Sequence, residues 1–373
     1  MRAEIARAAR RVVVKVGTSL LSGGGPGLDE GYVRRLVEAL ALERRAGREV
    51  ALVTSGAIGA GLAPLGLSSR PRSLRHLQAA AAVGQVSIIN AYEREFRRHG
   101  LAVGQVLLTR DGVEHRGRYL NARNTLVTLM EEGAVPVVNE NDTVSVDEIR
   151  FGDNDTLAAL VTKLVDADVM IILTDVEGLC TSDPRAGEAE VVAEVADITP
   201  EIERCASGAG SALGSGGMVT KIEAARMATS AGAGMFLVNG ADPGAVNRVL
   251  AGEGGGTFFR PRKDPMEARK FWIAFASARS GAVRVNEGAR RAIVERGTSL
   301  LPVGVLGTSG GFAKGDTVGI LDEQGREFAR GISYYDSGEV ERIRGRRTGD
   351  LAEVLGADYC EDEVVHRDNL VLL

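Results

Sequence analysis

RVVVKVGTS, residues 11–19, packs four valines around a single lysine and ends on glycine and two hydroxyls. A β-branched run this apolar suits a strand covered on both faces, as in a parallel sheet between helix layers. Its ending suits a strand that delivers the chain into a turn of accessible backbone N–H groups. Lys15 is the anomaly, because an unpaired ammonium among valines is costly. It has either a structural ion partner or an anionic ligand.

The same rhythm continues outward. A helix is predicted near 31–46, then VALVT (50–54), a long helix near 73–98, VGQVLL (103–108), a helix near 119–132 and AVPVVN (134–139). Further on come a helix near 156–166, VMIILT (169–174), a helix near 218–231 and GMFLV (234–238). Strands alternating with helices predict an α/β fold, a mainly parallel sheet sandwiched by helices. The pattern stops at RPRKDPMEARK (260–270), a charged, proline-containing linker, so residues 1–259 are assigned to one domain and 271–373 to another. The second half favours short strands and turns, consistent with a small mixed β-barrel. SGGGPG (22–27) and GEGGGT (252–257) are taken as flexible loops.

With 373 residues, two domains are the default expectation. No apolar run approaches the roughly 20 residues of a membrane span. The first apolar stretch is broken by Lys15 before signal-peptide length, so neither export nor a membrane partner is expected and a cytoplasmic location is. Cys180, Cys205 and Cys360 are far apart and suggest neither a disulfide framework nor a metal site. A net charge of −5 gives no bulk attraction to nucleic acid.

In open α/β sheets ligands bind beyond the carboxyl ends of the strands. Those ends carry KVGTS (15–19), TSGAIGAG (54–61), NENDTV (139–144) and TDVEGL (174–179). An ordinary strand-to-helix turn explains any one of them. Together with GSGGMVTK (214–221) they could surround a polyphosphate with glycine-bared amides. The order of GSGGMVTK is not that of the common P-loop, where lysine directly follows the last glycine. FGDNDTLAALV (151–161) opens a helix with Asp153, Asn154 and Asp155. One of these explains a helix cap, and two are left over. Lysines, glycine amides and an orienting aspartate are what phosphoryl transfer needs. A carboxylate acceptor, with a pKa of about 4, is already ionised and requires no general base, which suits candidate loops without histidine.

These segments in this order resemble the amino acid kinase family over essentially the whole chain: VVVKVGTS, VTSGAIGAG, LLTRD, RYLNARNTL, PVVNENDTV, FGDNDTLAALV, ILTDVEGL, GSGGMVTK and a C-terminal PUA-type barrel ending in HRDNLVLL. NEND, GDND and the barrel on one chain resemble most closely the members that phosphorylate free L-glutamate. The resemblance implies transfer of the ATP γ-phosphate to the γ-carboxylate of L-glutamate, the first step of proline synthesis, with Mg²⁺ accompanying ATP. It implies Lys15, Lys221 and Asp155 as catalytic, and Ser55, Asp142 and Asn154 as contacts to glutamate. For ATP it implies Lys15, Thr174 and Asp175, and the run Ser215, Gly216, Gly217, Met218, Val219, Thr220 and Lys221. The chain departs from the family pattern at Ser215, where Thr is common, and at Cys180, where Tyr is; the latter puts ATP affinity in doubt. Feedback inhibition by proline, a homodimer or homotetramer, and hand-over of the acyl phosphate to glutamyl phosphate reductase are also implied. Asp142 is the candidate acceptor for the substrate's α-ammonium, which needs an acceptor-only group.

PUA-type domains are associated with RNA, which offers a different reading. From Phe271 to Leu373 there are 13 Lys and Arg against 16 Asp and Glu, whereas RNA-binding surfaces are normally basic. RIRGRR (342–347) is the local exception. A solvated turn explains it, and no nucleic-acid partner is expected.

Overall fold

The computed structural model describes residues 1–25, 27–144, 154–182, 189–207, 217–356 and 361–373. These fall into two compact units, Met1–Val113 with Gly117–Pro265, and Glu114–Arg116 with Met266–Leu373.

Among the described residues the first unit is built on eight strands: β1 (Arg11–Val16), β2 (Glu49–Val53), β3 (Val103–Leu108), β4 (Val135–Glu140), β5 (Val169–Thr174), β6 (Glu194–Val195), β7 (Gly234–Asn239) and β8 (Thr257–Phe259). Their order across the sheet is β3-β4-β2-β1-β5-β7-β8-β6. The six from β3 to β7 are parallel, and β8 runs against β7 with β6 parallel to it. β4 and β5 are buried at every position, so both faces are covered, as their continuous apolar runs require. β1 lies at the centre, with Lys15 in register with Val53 of β2 and Ile172 of β5.

The principal helices stand within two or three residues of expectation: Glu30–Arg45, Leu74–Arg97, Arg116–Glu131, Asn154–Leu164 and Met218–Ser230. The first starts where Asp29 accepts the Tyr32 N–H in its side chain, a standard stop for an orphan helix donor. Short helices Thr18–Ser22 and Ala57–Leu62 follow β1 and β2, in stretches read as loops because they are too short to show a period. Gly56 makes the second turn possible: its φ of 91° is open to glycine at little cost.

Helix Ala57–Leu62 then crosses helix Leu74–Arg97 at backbone contact. A Cβ on Gly61 would stand 1.9 Å from the Ala80 carbonyl oxygen, and one on Gly84 would stand 1.7 Å from that of Ala57. No residue larger than glycine fits either position without moving a helix.

Two loop expectations need correction. GEGGGT is not wholly loop, since Thr257 begins β8 and a Cβ on Gly256 would lie 2.1 Å from the Leu237 carbonyl oxygen. Gly256 lets a strand approach β7 closely, while Gly254 and Gly255 stand in open space. In SGGGPG, Gly23 is the left-handed C-cap of helix Thr18–Ser22, and Pro26 lies outside the described residues.

The second unit holds a mixed five-stranded sheet, β9 (Arg279–Val285), β10 (Val305–Ser309), β11 (Thr317–Leu321), β12 (Glu327–Ile332) and β13 (Leu370–Leu372), in the order β10-β9-β11-β12-β13. β9 and β11 are parallel and the other pairs antiparallel. Val283, Val318, Ile320, Tyr335 and Val340 form its own core. Two helices cover it: Glu287–Arg296, capped by Asn286, and Ser337–Ile343, capped by the reciprocal Asp336 and Glu339 pair.

Candidate active site

The three residues assigned to catalysis meet. Lys15 Nζ lies 2.6 Å from Asp155 Oδ1 and Lys221 Nζ lies 3.2 Å from Asp155 Oδ2. Lys15 is the penultimate residue of the central strand, while Asp155 comes from the first turn of helix Asn154–Leu164 and Lys221 from the first turn of helix Met218–Ser230. The carboxylate is fully buried and both lysines nearly so. Thr220 also reaches Asp155 Oδ2, at 3.2 Å, and donates to the Gly217 carbonyl at 2.8 Å. Within this trio two ammonium groups share one carboxylate in surroundings where water screens little.

A second cluster adjoins the first through the neighbouring residue. Asn154 Nδ2 donates to the Thr54 carbonyl at 2.7 Å, Ser55 Oγ at 2.8 Å and Asn139 Oδ1 at 2.9 Å. Asn139 Oδ1 also accepts the Glu140 N–H at 2.9 Å. Because carbonyl and N–H partners fix both amides, Asn154 presents its oxygen, and Asn139 its nitrogen, to the remaining side. Those two atoms, Asn154 Oδ1 and Asn139 Nδ2, are buried and have no hydrogen-bond partner among the described residues. A buried acceptor and a buried donor left open are expensive unless a polar ligand uses them. Asp142 stands half-buried in the turn after β4, three residues beyond Asn139.

On the other side of β1, Thr174 ends β5 in a buried position and its hydroxyl donates to Asp175 Oδ1 at 3.2 Å. Asp175, Leu179, Cys180, Cys205 and Met218 line a mostly apolar cavity of ≈ 340 Å³. Gly217 caps helix Met218–Ser230, while Val219 is 57% exposed. Ser215 and Gly216 lie outside the described residues.

Asn139 is the member of this arrangement that the sequence reading passed over. Asn139 closes the expected strand AVPVVN; β4 continues one residue further, to Glu140, and buries the Asn139 side chain. The signal was the one that exposed Lys15: a polar residue closing an apolar strand.

Comparison with known proteins fits this geometry. The model of the amino acid kinase family matches residues 10–239. The chain belongs to the amino acid kinase family. The PUA domain model matches residues 281–355. Among curated family relatives, glutamate 5-kinase of Moorella thermoacetica is 51% identical, over 98% of this chain and 97% of its own length. Glutamate 5-kinase of Myxococcus xanthus is 50% identical over 98% and 97%, and that of Syntrophotalea carbinolica 49% over 100% of both. Among solved structures, carbamate kinase from Giardia lamblia is 17% identical and superposes with a TM-score of 0.51, covering 68% of this chain and 99% of that one. That likeness shows the fold. No described helix is long and apolar enough to cross a membrane.

Proposed function

We propose that this amino acid kinase transfers the γ-phosphate of ATP to the γ-carboxylate of L-glutamate, giving L-glutamyl 5-phosphate, the first step of proline synthesis. The observation that carries the reading is the buried trio Lys15, Asp155 and Lys221 beside the open amide atoms of Asn139 and Asn154. Support for glutamate as acceptor comes from the name shared by relatives 46–51% identical over nearly the full chain.

In this mechanism the two lysines neutralise charge on the phosphoryl group as it moves, and Asp155 holds both ammonium groups in place. The acceptor carboxylate is ionised at neutral pH, so no side chain has to remove a proton. Ser55, Asn139 and Asn154 orient the glutamate, and Asp142 receives its α-ammonium. Thr174, Asp175 and the run Ser215 to Lys221 hold the nucleotide, with the cavity at Leu179, Cys180 and Met218 taking the base. Mg²⁺ is expected to come with the ATP phosphates. Among the described residues no group of three carboxylate, histidine or cysteine side chains gathers to cage a metal, so no step is routed through it. Residues 1–259 are the catalytic domain in this reading.

The test is ATP consumption with L-glutamate, N-acetyl-L-glutamate, L-aspartate and UMP in turn, with hydroxylamine present to trap an acyl phosphate as hydroxamate. Hydroxamate with L-glutamate alone is the expected outcome, and another preferred acceptor would overturn the assignment. Proline shares the α-amino acid head of glutamate, so inhibition competitive with glutamate is expected in the same assay. A labile acyl phosphate also needs a prompt consumer, which favours hand-over to a reductase.

Asp142→Ala is expected to raise the KM for L-glutamate at least tenfold while leaving the KM for ATP unchanged, because a charge-assisted hydrogen bond contributes about 1.5–3 kcal/mol. An unchanged glutamate KM would remove Asp142 from the ammonium site.

A further inference from the structure

Two of the buried polar side chains of helix Leu74–Arg97 that the mechanism does not use face the acceptor loops. Gln85 and Tyr92 are seven residues, about two turns, apart and therefore share a face. Tyr92 Oη lies 3.0 Å from Thr54 Oγ1, and Gln85 Nε2 donates to the Glu140 carbonyl at 3.2 Å. Their targets are the residues where β2 and β4 give way to the acceptor loops. Thr54 supplies the carbonyl that takes the Asn154 amide at 2.7 Å, and Glu140 supplies the N–H that fixes Asn139 at 2.9 Å. The two loops are also tied to each other, since the Thr54 N–H donates to Val138 O at 2.9 Å. Gly84, next to Gln85, meets the Ala57 backbone two residues after Ser55, and a Cβ there would stand 1.7 Å from the Ala57 oxygen.

A buried phenol needs some partner, but nothing about burial requires that it be the hydroxyl of the residue that anchors Asn154. Nor does it require that Gln85 choose the backbone of the residue anchoring Asn139. Burial also pushes the Tyr92 phenol well above its ordinary range, so it keeps its proton throughout the working pH range.

We infer that Tyr92 and Gln85 are positioning residues for the acceptor: one helix grips the ends of β2 and β4 and so sets the distance between the open amide atoms of Asn154 and Asn139. The inference rests on the reading of that cluster as the glutamate site. It implies that the helix influences acceptor binding and not nucleotide binding, since the hydrogen bonds of the two side chains run to the ends of β2 and β4.

The experiment compares the parent enzyme with Tyr92→Phe, Thr54→Val, their double variant and Gln85→Leu, measuring kcat, both KM values and Tm. Tyr92→Phe keeps the ring in the core and removes one oxygen, and Thr54→Ser serves as the conservative control that retains the hydroxyl. Expected is a rise of roughly fivefold in the glutamate KM for Tyr92→Phe and for Gln85→Leu, with ATP KM and kcat within about twofold. The double variant should be no worse than the poorer single, because the two share one hydrogen bond, and Thr54→Ser should behave as the parent. Glutamate KM unmoved in both Tyr92→Phe and Gln85→Leu, or equal rises in both KM values with a fall in Tm, would overturn the positioning role. A parent enzyme that forms no hydroxamate from glutamate would instead overturn the reading of the site itself, and this inference with it.

Discussion

Lys221→Ala is expected to lower kcat with L-glutamate and ATP by about 10²–10³-fold, the loss typical when one preorganised donor to a developing negative charge is removed. The fold should survive. Asp155 is fully buried, but without Lys221 it keeps Lys15 at 2.6 Å and Thr220 at 3.2 Å, so no unpaired carboxylate is stranded. Lys15→Ala should cost as much in rate and more in stability, because it empties the closer partner of that carboxylate at the centre of the sheet. Lys221→Arg should not rescue, since a guanidinium is larger and forked where a compact ammonium is held. Hydroxamate formation under saturating substrates gives kcat, and thermal denaturation gives the fold. Retained turnover in both alanine variants would remove the lysines from the mechanism.

The second large effect lies away from the chemistry. Gly84→Ala should lower stability by about 1–3 kcal/mol, the usual cost of overpacking, and the Tm of the first unit by roughly 3–10 °C. The added methyl would stand 1.7 Å from the Ala57 oxygen and 2.7 Å from the Gly61 N. Both atoms are backbone, so the helices have to separate. Gly59→Ala is the control, in the same short helix with nothing within 4 Å of its Cβ position, and should be neutral or slightly stabilising. Equal melting temperatures for Gly84→Ala and the parent would mean that the crossing yields cheaply.

Much of this was readable in the residues and some was not, for physical reasons. The parallel sheet was legible because β1, β4 and β5 are apolar on both faces, and Lys15 because a charge in such a strand demands an explanation. Asp155 was legible only in part: the spacing places it at a helix start, but sequence cannot say which carboxylate of GDND turns inward to the lysines. β6 and β8 were missed, at two and three residues too short to carry a period. The glycine crossing was hidden because Gly61 and Gly84 meet only after the chain has turned back on itself. Asn139 was overlooked although it closes the expected strand, because sequence does not say that the last polar residue of a strand turns inward. Ser215 and Gly216 remain as the resemblance left them.

The position of β1 has a consequence for how such an enzyme can change. The loops after β2 and β4 lie to one side of it and those after β5 and β7 to the other, with Lys15 on the dividing strand. In the proposed reaction the acceptor is met by the first set and the nucleotide by the second. Substitutions that retune the acceptor can therefore accumulate on one half of the sheet, while β1 with its lysine, and Asp155 that joins it to Lys221, must satisfy both. A lineage built on this plan is free to exchange what it phosphorylates while inheriting, unaltered, the means of doing so.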